Sequence, residues 1–283
     1  VNLVRLLVAM ALNSIIILAV TATFASGVSV HKTQMTVTAK LENEMLFEQL
    51  LKRDLQNIDA WKCHSTSQDF PQVLGISAVF KQHKANAVWG EDNVVKGTNL
   101  IPGSDSIYLL GTEKIPLMKA VAGANTLEIA GANVNKKDIL LVTDCSSVDV
   151  YSIKSIKASD KGSVLLSLDS PLSESFNGVK IQVYKVVFKH YSLRKGRNNT
   201  ALYLSINNKT ALELIPNIAS FQIEYAVDDV SEQGEFLHRN FYSADEMDTL
   251  QLWQKLRQVS IQINSSDSNT DTFEFSLLLG GKG

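Results

Sequence analysis

Charge is missing from the beginning of this chain: between Leu6 and Val30 no residue is Asp, Glu, Lys, Arg or His. That absence excludes an ordinary solvated helix. A helix over the span is about 37 Å long at about 1.5 Å per residue, enough to cross a hydrocarbon core of roughly 30 Å. The competing reading is a cleaved secretory signal, whose apolar core runs to about 7–15 residues. Here the run is longer, and helical patterning continues past it, so a retained anchor is expected. Arg5 and the N-terminal amine favour a cytoplasmic N-terminus by the positive-inside tendency, and Lys32 at the other end dilutes that preference.

Helix breakers are missing next. No Pro or Gly interrupts Val28 to Ala60. Phe47, Leu51, Leu55 and Ile58 form an apolar stripe, widened by Leu46 and Leu50. Glu42, Glu44, Glu48, Lys52, Arg53 and Asp54 occupy much of the remainder. Residues 1–30 are therefore expected to be an apolar transmembrane helix, and residues 31–61 its amphipathic continuation. Gly27, with Thr21, Thr23 and Ser26, marks a soft spot. A coiled coil competes, but the stripe covers too few heptads.

Cysteine is scarce: only Cys63 and Cys145 are present. With a cytoplasmic N-terminus both fall on the oxidising side, where a single disulfide is the simplest reading. A zinc site is the alternative, but neither has a CxxC or HxxxH companion. An excess of basic charge is absent too. With 27 basic and 29 acidic residues and a net charge of −2, nothing points to nucleic acid.

Catalytic patterns are equally sparse. His31, His64, His83, His190 and His238 are scattered, without metal-ligand spacing. Ser29–Lys32 and Ser192–Lys195 both satisfy S-x-x-K, and two hits to so loose a pattern argue for chance. The terminal Gly-Gly-Lys-Gly lacks the flanking residues of a phosphate loop. Asp228, Asp229, Glu232 and Glu235 are a candidate calcium cluster, but their spacing is not that of an EF-hand loop, and a solvated acidic turn is the favoured reading. Asn13, inside the apolar run, suits interhelical hydrogen bonding. No cofactor is indicated.

What the chain does have beyond Trp61 is β texture. Gly75–Phe80, Ile107–Leu110, Asp138–Thr143, Ser163–Leu168, Lys180–Tyr191, Ile218–Val227 and Val259–Ile263 read as strands, as do the alternating residues Phe273 to Leu279. Turn residues punctuate Asn93–Gly103, Ser159–Gly162 and Lys195–Asn199. Residues 62–283 are expected to form one elongated β-rich domain or two closely joined lobes, without repeats or a long linker.

The order of these features resembles the type IV pilins, and within them the PilW-type minor pilins. Val1–Leu12 (VNLVRLLVAMAL) resembles the mature prepilin signature FTLIELLVAMAL without gaps. Phe47–Cys63 resembles the family's helix end, an R-D-L run before an aromatic and a Cys. Gly103–Leu110 resembles its G-S-D strand, and Lys136–Ile153 its D-C segment, with Lys137 where Gly is common. Ala201–Leu204, Glu213–Asp228 and Leu252–Ile263 follow in the family's order.

The resemblance implies an α+β, pilin-like fold: a long N-terminal helix packed on a large antiparallel β-rich domain. It implies a filament subunit rather than a catalyst, a minor pilin that helps to initiate pilus assembly at or near the tip. The expected partners are other minor and major pilins, met through the N-terminal helix, and a prepilin peptidase. Before assembly the protein is expected in the inner membrane, single-pass with its globular domain in the periplasm, and afterwards in the pilus. A chain starting at Val1 reads as the mature form. A type II secretion pseudopilin is the alternative, sharing anchor and rod but less of the C-terminal order. A membrane-tethered hydrolase lacks a nucleophile or metal constellation. The chain departs from the family at its fifth position, where Glu is usual and Arg5 stands. Val1, Arg5 and Asn13 are the expected assembly residues.

Overall fold

The computed structural model of the chain describes residues 2–58, 88–94, 99–121, 123–131, 134–136, 138–144, 148–159, 162–176, 180–196, 199–207, 209–231, 235–266 and 272–279. Val1, Cys63, Cys145, His64, His83, Glu232, the terminal Gly-Gly-Lys-Gly and the strand expected at Gly75–Phe80 lie outside these residues.

Helix α1 spans Asn2–Asn57, as the lack of Pro and of a second Gly after Gly27 predicts. The chain divides into two compact units, Val1–Phe47 and Glu48–Gly283. In the first, every side chain from Leu12 to Ala39 is exposed, including Phe24 at 73% and Leu18 at 68%. Five of its hydroxyls turn inward on the helix. Ser14, Thr21, Thr23, Thr33 and Thr36 each donate to the carbonyl four residues back, at 2.8–3.1 Å. Such back-bonding removes donors from the surface, leaving the helix flank apolar. Among the described residues this helix is long and apolar enough to cross a membrane.

The second unit begins inside α1. Leu51, Leu55 and Ile58 are at most 2% exposed, so the amphipathic stripe meets its apolar partner within the globular unit. The last turns of the helix therefore belong to the core they cover.

The rest of this unit is antiparallel sheet. The larger sheet comprises β1 (Val88–Glu91), β2 (Ser106–Ile115), β3 (Leu117–Ala120), β4 (Thr126–Ala130), β5 (Ile139–Thr143), β6 (Val148–Ala158), β7 (Ser163–Leu168), β8 (Gln182–Lys195), β9 (Thr200–Ile206) and β10 (Leu212–Pro216). Its order is β1-β2-β8-β5-β6-β7-β4-β3, with β9 also on β8 and β10 on β9. The smaller sheet has the order β12-β11-β13-β14, from β11 (Ile218–Val230), β12 (Phe236–Tyr242), β13 (Leu256–Ser265) and β14 (Thr272–Leu278). Alternation along β11 and β13 buries Phe221, Ile223, Tyr225, Val259, Ile261 and Ile263 at 3% exposure or less. Each such side chain stabilises the fold by roughly 1.5–3 kcal/mol. A second cluster around Leu127, Ile129, Leu140, Val142 and Leu166 closes the far end of the larger sheet.

Asp105 joins the two sheets. Its amide donates to the Phe221 carbonyl at 2.8 Å, and its carboxylate accepts the Asn93 amide at 3.0 Å and the Ile223 amide at 2.8 Å. Nearby, Asp92 accepts the amides of Ala244 and Asp245, both at 2.9 Å, and fixes the start of the short helix α2 (Ala244–Thr249).

Candidate functional site

Two features stand out by chemistry: the exposed apolar surface of α1 in the first unit, and a buried carboxylate on its last turns in the second.

On the first, Arg5 and Asn13 are both exposed. Neither has a hydrogen bond or ion pair within the chain among the described residues. In an apolar setting a guanidinium and a carboxamide without partners are costly, so both are positions from which α1 asks for polar company. Spaced eight apart, they are separated by little more than two helical turns.

On the second, Asp54 is 1% exposed. Its Oδ1 accepts the Lys189 ammonium at 2.6 Å and its Oδ2 accepts the Tyr191 hydroxyl at 2.5 Å. Lys189 and Tyr191 alternate along β8 and so share one face. Burial, followed by the adjacent Asp54 charge, pushes the Tyr191 phenol far up, which keeps it a donor. Arg53 approaches Asp54 at 3.8 Å but lies 66% exposed and adds little. The Thr112 hydroxyl donates to the Asn57 carbonyl at 3.3 Å, satisfying one of the acceptors left open at the helix end. The pair of charges fixes which residues of the helix end meet β8. By residue type alone Asp54 counts among the polar residues outside the apolar stripe.

The remaining candidates are not brought together. Asp228 and Asp229 lie in β11 rather than in a turn, and as strand neighbours they face opposite sides. Asp228 is held by Arg239 at 2.5 Å, and this hydrogen bond draws its carboxyl below the ordinary range. Asp229 faces His238 at 3.1 Å and accepts from Asn240. Glu235 is exposed. Among the described residues no group of three His, Cys, Asp or Glu side chains is placed to hold a metal. Ser192 is buried and accepts from Arg194, not from Lys195, so the S-x-x-K pattern there has no nucleophile geometry. His31 lies exposed on α1.

Comparison of the chain with protein-family models, with curated proteins and with solved structures finds no match.

Proposed function

We propose that the protein is a minor pilin of a type IV pilus, of the PilW type, that helps to initiate assembly at or near the tip. The observation that carries this is the helix α1. Its first unit exposes a largely apolar surface, uncharged from Leu12 to Val30, with Thr21 and Thr23 bonded back onto the helix, while its last turns are built into an antiparallel β-rich unit. A helix of that kind is stable in lipid, and equally in a bundle of like helices that excludes water. One element therefore serves both as membrane anchor and as filament core. The seven segments in family order, from Val1–Leu12 to Leu252–Ile263, support the same assignment.

On this reading the partners are other pilins, met along α1, the inner membrane before assembly, and a prepilin peptidase. The globular unit faces the periplasm and then the cell exterior. Deleting the gene tests the reading: surface pili and twitching motility are expected to fall sharply, with restoration from a plasmid copy. Normal piliation together with normal twitching overturns it. A secretion defect with normal piliation transfers the chain to the type II secretion pseudopilins.

A further inference from the structure

Strand β8 turns Lys189 and Tyr191 to one face and, by alternation, His190, Ser192 and Arg194 to the other. On that second face a row of rings crosses three strands. Trp89 stacks on Tyr108 with centroids 5.3 Å apart and planes within 6°, and Tyr108 stacks on His190 at 4.1 Å and 9°. In the adjacent row Ser106 lies opposite Ser192 in the β2–β8 register. Ser192 Oγ accepts the Arg194 Nε–H at 2.9 Å.

The polar chemistry of this face is unbalanced. Arg194 is half-buried, and among the described residues its guanidinium meets only Ser192 and, at 3.5 Å, His190 Nδ1. It has no carboxylate partner there, and its loss of solvent lowers its proton affinity. Because a guanidinium has no acceptor, His190 Nδ1 accepts, and the imidazole is the neutral Nε2–H tautomer. Burial first, and then the Arg194 charge, hold the His190 pKa down to about 3. Its Nε2 has no partner among the described residues, and the hydroxyl of Ser106, a residue with 0% exposure, lies beside that of Tyr108. A half-buried guanidinium without a direct carboxylate partner is an expensive arrangement, and buried polar groups ordinarily find partners.

We propose that this face, centred on Arg194 with Ser192, Ser106 and the Tyr108–His190 stack around it, is a binding site for a single carboxylate group. The guanidinium fork suits carboxylate and phosphate alike. Local charge separates the two. Tyr108 donates to Glu91 at 2.9 Å and Tyr203 donates to Glu213 at 2.8 Å, which places a negative charge one hydrogen bond behind each phenol beside Arg194. A doubly charged phosphate is repelled by these more strongly than a monoanion. The carboxylate belongs either to a small free acid or to an acidic side chain of another polypeptide, and the two are separable by probe.

The test uses the full chain in non-ionic detergent with its histidines labelled with nitrogen-15. Sodium acetate and the capped tripeptide acetyl-Ala-Asp-Ala-amide are titrated at constant ionic strength, with inorganic phosphate and chloride as comparators. The expected result is a saturable shift of the His190 nitrogens with the carboxylate probes, weaker with phosphate and absent with chloride. Tighter binding of the tripeptide assigns the site to a polypeptide partner, and equal or tighter binding of acetate assigns it to a small acid. Arg194→Gln is expected to weaken binding by roughly tenfold or more, and Arg257→Gln, at an exposed position, to leave it unchanged. Ser106→Ala, which removes one hydroxyl from this face, weakens it less and serves if Arg194→Gln does not fold. No saturable shift in the unaltered chain, a response to chloride or phosphate as strong as to acetate, or an undiminished response in Arg194→Gln overturns the proposal.

Discussion

The Asp54 carboxylate receives the Tyr191 hydroxyl at 2.5 Å on one oxygen and the Lys189 ammonium at 2.6 Å on the other, at a residue only 1% exposed. A buried ion pair contributes little relative to an apolar pair of the same shape, but removing one partner strands the other. Asp54→Ala is therefore expected to destabilise the globular unit by about 3–5 kcal/mol. Tyr191→Phe, which removes a single hydrogen bond to a charged acceptor, is expected to cost about 1.5–3 kcal/mol. Arg53→Ala, at a solvated pair, is expected to stay within about 1 kcal/mol. Urea unfolding of the full chain in detergent reads all three, and an Arg53 effect exceeding that of Asp54 contradicts the assignment.

The position of Asp54 also shows how far the sequence could be read. Phe47, Leu51, Asp54 and Ile58 recur at spacings of four, three and four, so helical geometry puts Asp54 on the buried side. Its carboxylate hid that. The partners lie 135 and 137 residues further on, and no local pattern announces a pairing at that separation. The helix itself was legible, because the absence of charge and of breakers is a local property. So were the strands with strong alternation, such as β8 and β13. Short elements were not: β1 is four residues with Gly90 at its third position, and β12 mixes Phe236, Leu237 and Phe241 with His238, Arg239 and Asn240. Helix α2 does carry a local signal, the Ser243–Glu246 capping box.

Gly90 occupies a place that only glycine fits. A Cβ there would stand 2.1 Å from the Tyr225 hydroxyl and 2.8 Å from its ring, and Tyr225 is fully buried. Gly90→Ala is expected to cost about 1–3 kcal/mol through overpacking. Tyr225→Phe removes the nearer of the two clashing atoms, so the double variant is expected to recover part of the loss. Strictly additive costs in a double-mutant cycle would show that the two side chains do not meet.

The junction between the sheets gives a pH signature. Burial raises the Asp105 pKa above the ordinary carboxylate value, and the two amide hydrogen bonds only partly oppose it. The folded state therefore holds its proton to higher pH than the unfolded chain does. By linkage, this group's contribution to stability is greatest at the acidic end and declines as pH rises from the unfolded-state pKa through the raised one. Asp105→Asn is expected to flatten that part of the stability–pH curve. Thermal unfolding across the mildly acidic range checks it; an unchanged slope in the variant refutes the linkage.

Cys63 and Cys145 are expected to form a disulfide, since they are the only two thiols and the proposed topology puts both in an oxidising compartment. Chain-entropy arithmetic for a loop of this length gives about 4–5 kcal/mol as the upper range of its stabilisation. Non-reducing peptide mapping of protein recovered from the periplasm should yield the linked pair. Two alkylatable thiols in that sample exclude it.

Arg5 is where the proposed assembly role makes its sharpest demand. The type IV pilins that the sequence resembles usually carry a carboxylate at this position, able to pair with the amine of a neighbouring subunit in an apolar setting. A guanidinium repels that amine instead, and an unpaired charge so placed costs about 3–5 kcal/mol relative to the intact pair. Arg5 is exposed on α1, without an ion pair among the described residues, so on the proposed reading its partner comes from another chain. A subunit of this kind fits poorly into a shaft of repeated Glu–amine pairs, and fits a tip or initiation position where a different pilin presents a carboxylate. Immunogold labelling of purified pili is expected to place it at filament ends, whereas regular labelling along the shaft rules that placement out. Arg5→Glu is expected to lower the number of pili initiated or to let the subunit enter the shaft. Pilus number and label position both indistinguishable from the unaltered strain would reduce Arg5 to a tolerated substitution.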